Sequence, residues 1–143
     1  MEIIDDGSCF VCGKNNECGL KLRFKLDREA KSATTTTVLK DHFSGWVNAA
    51  HGGIICALLD EAMVYACAAT GWFVATGNMN VKFRKPVPVG ETLTIEGELL
   101  EHRRKMMKTR ARVLKDGEVL AESEGTMVVV GEVENEQDYA FVN

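Results

Sequence analysis

Leu20, Leu22, Phe24 and Leu26 alternate with Lys21, Arg23 and Lys25, the two-residue period of a strand with one face buried and the other in water. Residues 32–38 carry four consecutive threonines and a valine after a short polar turn, which predicts the second arm of a hairpin. Residues 40–50 mix Gly, Ser and Asn with no period and predict a loop. Residues 54–70 are too long for a strand, are rich in Ala, Leu and Met, and stop at Gly71, so the pattern predicts a helix. That helix is apolar nearly all round, which predicts a central, buried position. Four strands follow, over residues 76–84, 92–100, 106–115 and 119–130, the last two joined by the hairpin signal Asp116-Gly117. Two strands, one apolar helix and four more strands describe an α+β domain in which a long antiparallel sheet wraps a helix.

With 143 residues, 45% of them hydrophobic, the chain has the size and apolar content of one domain with a real core. The expected division is a single domain over residues 1–143, with a Cys- and Gly-rich lead-in at 1–19 and an acidic tail at 131–143. A net charge of -4 argues against a nucleic-acid partner. Asp60 and Glu61 interrupt the one apolar run that approaches the length of a membrane span, and the N-terminal residues lack the basic start and apolar centre of a signal peptide. No membrane association and a cytoplasmic location are therefore expected.

Five cysteines without an export signal fit reduced thiols. Cys9 and Cys12 form a CxxC, but a structural zinc site wants four ligands and the sequence offers no second CxxC or His pair at matching spacing. The expectation is a tight glycine-rich turn holding Cys9, Cys12 and Cys18, with no metal and no cofactor. Cys56 and Cys67 fit the role of small core residues in the helix.

Asp60 is the most informative residue. It lies inside the most hydrophobic segment, and its helical neighbours Cys56, Ala57, Met63, Val64 and Cys67 offer no cation. An ionised carboxylate buried without a partner costs several kcal/mol, so its presence there points to chemistry. Ahead of it, His51-Gly52-Gly53 opens the helix, where exposed N–H groups backed by the helix dipole suit the oxyanion that a carbonyl becomes in an acyl-transfer transition state.

The order of elements, with His51-Gly52-Gly53 at the helix start and Leu58-Leu59-Asp60 within it, resembles the hotdog-fold acyl-CoA thioesterases, specifically the phenylacetate-pathway type and its thioesterase-superfamily relatives. Three further stretches are similar to one subgroup: Cys9-Phe-Val-Cys-Gly-Lys-Asn-Asn-Glu-Cys-Gly-Leu20, Gly45-Trp46, and Asn78-Met-Asn-Val-Lys-Phe-Arg-Lys-Pro86. The resemblance covers nearly the whole chain. It implies an enzyme that hydrolyses an acyl-CoA substrate, with Asp60 as general base or nucleophile, Gly53 as backbone donor to the thioester oxygen, and Thr76 assisting the water. It also implies a homodimer, or dimers paired into a tetramer, with Gly53 from one subunit and Asp60 from the other. Many relatives have an asparagine six residues before the histidine and a glycine three before it, where this chain has Gly45 and Asn48. Asn48 or Ser44 is the candidate for the displaced polar contact.

The spacing gives independent support for a shared site. Gly53 and Asp60 are seven residues apart, on one helical face but about 10 Å apart along the axis, too far to serve one carbonyl from opposite sides. A second helix must contribute. Asp60 would activate a water or attack the carbonyl itself, and sequence does not separate these routes.

Supporting roles fall to His51, which acts on the reaction or simply caps the helix, and to Gly52, which permits close approach. Glu61 could bond to Tyr65 or to a partner subunit. Arg84 and Lys85, with the basic run 102–112, could hold the CoA phosphates or form a solvated strand face. Phe43, Trp46, Trp72 and Phe73 could line an acyl pocket or serve as packing. Two other functions fit less well. His42-Phe43 and Glu61-Ala-Met63 superficially resemble the motifs of hotdog acyl-thioester dehydratases or hydratases, where the two lie closer in sequence. A non-catalytic acyl-CoA-binding module would need an output domain, for which the chain leaves no room.

Overall fold

The computed structural model describes residues 4–133, so most of the expected acidic tail lies outside the described residues. Strands β1 (Lys25–Asp27), β2 (Ser32–Val38), β5 (Trp72–Phe83), β6 (Thr92–Arg103), β7 (Met106–Lys115) and β8 (Glu118–Glu132) form one antiparallel sheet in the order β1-β2-β6-β7-β8-β5. Helix α1 (Gly52–Ala68) packs on one face of it. Two short strands, β3 (Ser44–Trp46) and β4 (Ala49–Ala50), pair with each other before the helix.

The sheet makes room for the helix with a row of small residues. Ala33, Gly97, Ala111 and Ser123 stand side by side across β2, β6, β7 and β8. At its centre a Cβ on Gly97 would lie 2.1 Å from the Ala62 carbonyl oxygen, so only glycine lets the helix backbone approach so closely. Leu58, Leu59, Ala62, Met63 and Ala66 are fully buried against this face, and each large apolar side chain buried contributes about 1.5–3 kcal/mol. The opposite face carries rows of alternating charge. Glu96 pairs with Arg112 at 2.8 Å, Glu98 with Arg110, and Arg84 with Glu122 at 2.6 Å.

Several sequence boundaries shift for identifiable reasons. The alternation from Leu20 to Leu26 is real, with Leu22 and Phe24 buried, but the ladder of β1 covers only three residues. The N–H groups of Leu20 and Leu22 instead donate to Phe10 and Val11 in the lead-in, at 2.9 Å each, and Lys21 turns out of the extended region at φ 51°. The expected loop at 40–50 contains a 3-10 turn at Asp41–Phe43 as well as β3 and β4. Helix α1 starts two residues before the expected position, because the His51 ring accepts the Gly53 N–H at 2.9 Å and brings the glycine pair into the first turn. It ends as expected ahead of Gly71, whose φ is +94°. Asp116 and Gly117, at φ 50° and 80°, form the hairpin turn their sequence announces.

Helix α1 is not buried all round. Gly53 is exposed and Ala57, Asp60 and Val64, along with Ile54 and Cys56, are only half-buried. Gly53, Ala57, Asp60 and Val64 fall on one side of the helix at the spacing i, i+4, i+7, i+11.

Candidate active site

Asp60 opens onto this incompletely covered side of α1. Strand β5 returns from the C-terminal end of the helix and places Thr76 opposite, where the Thr76 hydroxyl donates to Asp60 Oδ1 at 2.6 Å. An ionised carboxylate only accepts hydrogen bonds, so the hydroxyl is the donor and its lone pairs stay available to a water. A shift in β5–β8 register between Thr76 and Asn78 lies next to this pair, the kind of bulge that re-aims a side chain beside a site. Asp60 also raises the pKa of Cys56 one turn earlier, as the second cause after burial.

The first helical turn is separate. Gly53 donates its N–H to His51 Nδ1 at 2.9 Å, so the ring caps the helix. Gly52 faces the Phe83 ring, with 3.7 Å between a Cβ at that position and the ring carbons. Because β5 runs antiparallel to the helix, Phe83 brings Arg84 and Lys85 to the Gly53 end. Both are exposed and paired with β8 carboxylates, Arg84 with Glu122 and Lys85 with Glu118 at 2.8 Å. The Arg84 guanidinium holds the Glu122 carboxyl below its usual range, through their hydrogen bond first. Arg110 and Arg112 of the basic run pair with Glu98 and Glu96 on the outer face.

Asn48 sits at φ 59° in the β3–β4 turn, a left-handed conformation that asparagine tolerates better than most residues. Its backbone carbonyl accepts from Val89 at 3.3 Å. Gly45 packs against the histidine: a Cβ there would lie 3.0 Å from His51 Cα. Phe43, Trp72 and Trp46 sit in separate surroundings. Phe43 is buried edge-on to Phe10, Trp72 stacks edge-on to His102, and Trp46 stands 84% exposed.

Glu61 faces elsewhere. Although adjacent to Asp60, it turns toward the lead-in, where the Cys9 thiol lies 3.9 Å from Oε1 and the Cys12 thiol lies within 4.8 Å. Burial is the largest cause that pushes the Glu61 carboxyl up, with the Asp60 and Asp5 charges adding to it and the Cys12 bond opposing it. This cluster escaped the sequence argument, which counted only Cys and His as partners for the CxxC. Its one sequence signal was the CxxC itself, since Glu61 lies 52 residues from Cys9. His42, the other residue of the dehydratase-like motif, packs its ring on Phe43 at a centroid distance of 4.2 Å.

The sheet and its helix are those of a known family. The sequence profile of the thioesterase superfamily matches residues 48–122, and the chain belongs to that family. Among its relatives is the 3-hydroxyacyl-[acyl-carrier-protein] dehydratase FabZ of Thermus thermophilus, 32% identical over 115 residues covering 73% of this chain and 80% of FabZ. The acyl-coenzyme A thioesterase THEM4 of Bos taurus is 29% identical over 80 residues, covering 54% of this chain and 32% of THEM4. Among solved structures, a putative thioesterase related to phenylacetic acid degradation from Ralstonia eutropha matches with a TM-score of 0.70 and 27% identity, covering 78% of this chain and 86% of its own. A Streptococcus mutans protein solved bound to acetyl-CoA matches with a TM-score of 0.71 and 24% identity, covering 78% and 90%. The architecture is thus the hotdog fold expected from the sequence.

Proposed function

We propose that this protein hydrolyses acyl-CoA thioesters to a carboxylic acid and CoA. The observation that carries this reading is the Thr76–Asp60 hydrogen bond of 2.6 Å on the open side of α1. With its proton directed to Oδ1, the Thr76 hydroxyl accepts from a water, and Asp60 takes the water's proton as it attacks the thioester carbon. The same carboxylate could instead attack the carbonyl and form a mixed anhydride that water resolves. Either way, the carbonyl oxygen needs donors, and the N-terminal turn of a helix supplies them with a favourable dipole.

That turn comes from a second subunit in this reading. Gly53 and Asp60 lie seven residues, or about 10 Å, apart along one helix. Three features support a homodimer. Strand β5 is a twelve-residue edge of the sheet among the described residues, and a long open edge is a template for pairing. The open side of α1 adjoins it through the Thr76–Asp60 contact. Trp46, Val47 and Phe83 are 84%, 91% and 55% exposed, more large apolar surface than water favours. Within such a dimer the partner's Gly53 N–H would release His51 and turn to the substrate carbonyl, which makes His51 a cap that yields to substrate. Arg84 and Lys85 lie at that end of the helix and could exchange their β8 partners for CoA phosphates.

The FabZ relatives favour a second reading, dehydration or hydration of an acyl thioester through His42 and Glu61. Against it stands the engagement of Glu61 with Cys9 and Cys12. A hydrolysis screen over aromatic, short and long acyl-CoA thioesters with a thiol reagent tests the first reading, and enoyl-CoA hydration tests the second. Hydrolysis that depends on Asp60, without enoyl hydration, is expected. Enoyl hydration dependent on His42 and Glu61, without hydrolysis, would replace the first reading by the second.

A further inference from the structure

The lead-in is a lobe with almost no core of its own. Between Gly7 and Leu22 only Val11, Gly13 and Leu22 are buried, and its order comes from tight turns. Gly13 closes the CxxC turn by donating to the Cys9 carbonyl at 2.9 Å. A side chain at position 13 is excluded, since its Cβ would fall 2.4 Å from Cys9 N and 2.5 Å from Cys9 O. The turn aims both thiols at α1, where the Glu61 carboxylate meets them. One donor atom from each of Cys9, Cys12 and Glu61 lies within 4.8 Å of the other two.

We propose that Cys9, Cys12 and Glu61 bind one Zn2+ ion where the lead-in meets helix α1, a site of three protein ligands with water in the fourth position rather than the closed four-ligand site that the sequence lacks. Zinc holds its ligands at about 2.0–2.3 Å, which places neighbouring tetrahedral donors roughly 3.3–3.8 Å apart. The Cys9 Sγ to Glu61 Oε1 separation of 3.9 Å already approaches that figure. Two thiolates and one carboxylate neutralise the ion with one charge to spare, and sulfur ligands favour zinc over magnesium or calcium. A supporting hydrogen bond for one sulfur is in place. The Val11 N–H donates to Cys9 Sγ at 3.4 Å. Such outer partners orient ligands and tune their basicity. Binding would release the two thiol protons to solvent.

A Cys9–Cys12 disulfide would join only two of the three groups. A metal uses all three. The site stands apart from the thioesterase reading: it depends on Glu61, not on Asp60 or Thr76, and zinc binding is measured without any substrate.

The test is metal uptake by the full chain, reduced under anaerobic conditions, freed of metal with a chelator and titrated with Zn2+ and separately with Co2+. One equivalent per chain is expected, with the sulfur-to-cobalt charge-transfer band and the intense visible bands of a tetrahedral site. Cys9→Ser, Cys12→Ser and Glu61→Gln should each weaken zinc binding by more than the roughly 10–100-fold typical of losing a supporting residue. Cys18→Ser, which alters an exposed thiol outside the cluster, should leave it unchanged. If the cysteine variants fail to fold, the cobalt spectrum of the parent protein decides alone. A reduced protein that takes up no stoichiometric metal, or one whose cobalt spectrum shows no sulfur ligation, would overturn the site and leave a thiol–carboxyl hydrogen-bond cluster.

Discussion

Asp60 and Glu61 are the same chemical group on consecutive helical positions, yet they sit in opposite surroundings. Asp60 holds the Thr76 hydroxyl at 2.6 Å on a side of α1 that the chain leaves partly open. Glu61, about 100° further round the helix, closes on the two thiols of the lead-in, and burial raises its pKa. A carboxylate that must meet substrate needs access and an activating neighbour, whereas one that fixes a segment of chain needs enclosure. The difference teaches that acidity in an apolar helix is not one signal: the element packed against each residue decides what it does.

The sharpest way to break this contrast is to neutralise each carboxylate at constant shape. Asp60→Asn should cost at least about 100-fold in turnover with the fold intact, as expected for loss of a general base or nucleophile. Thioester hydrolysis near the parental rate in that variant would remove Asp60 from the reaction. Next comes the origin of the oxyanion donors. Gly53→Pro removes the N–H at a position near the helix start where proline is tolerated, and it should be nearly inactive alone. Mixed with Asp60→Asn, it should regain about a quarter of parental activity, since about half of randomly reassorted dimers are mixed and half of their sites are whole. Gel filtration and a tagged-pair pulldown must show that mixed dimers form. Mixed dimers as inactive as their parents would mean that each site is built within one chain.

A smaller effect is expected at Thr76. A hydrogen bond to a charged group is worth about 1.5–3 kcal/mol, and at the lower end Thr76→Ala should reduce turnover about tenfold with little change in KM. An unchanged kcat would return Thr76 to the role of a strand residue. Glu61→Gln should affect hydrolysis least, by only a few-fold, and should instead loosen the lead-in, seen as faster proteolysis between residues 7 and 22. If Glu61→Gln matched Asp60→Asn in its loss of activity, the division of labour between the two carboxylates would be wrong.

Much of the scaffold was legible in the sequence because its signals are local. The alternation from Leu20 to Leu26, the Asp116-Gly117 turn and the long apolar helix each depend on neighbours a few residues away, and all three reappear with shifted ends. Asp60 was legible for the same reason, as a charge with no local partner. The resemblance to the hotdog thioesterases then singled out Thr76, which the fold places against it.

What the sequence by itself determined is therefore the helix and the main strands of the sheet, though not the short elements within 40–50, and the oddity of Asp60: backbone periodicity, turn chemistry and the cost of a lone charge act over short stretches of chain. Tertiary structure alone decided which distant residues meet. The row Ala33, Gly97, Ala111 and Ser123 becomes a seat for the helix only once four strands pair in register. Glu61 reaches Cys9 across 52 residues because the lead-in folds back over α1, and the open side of the helix exists because one sheet face cannot enclose a cylinder. Such pairings depend on three-dimensional packing, which residue spacing along one chain does not encode.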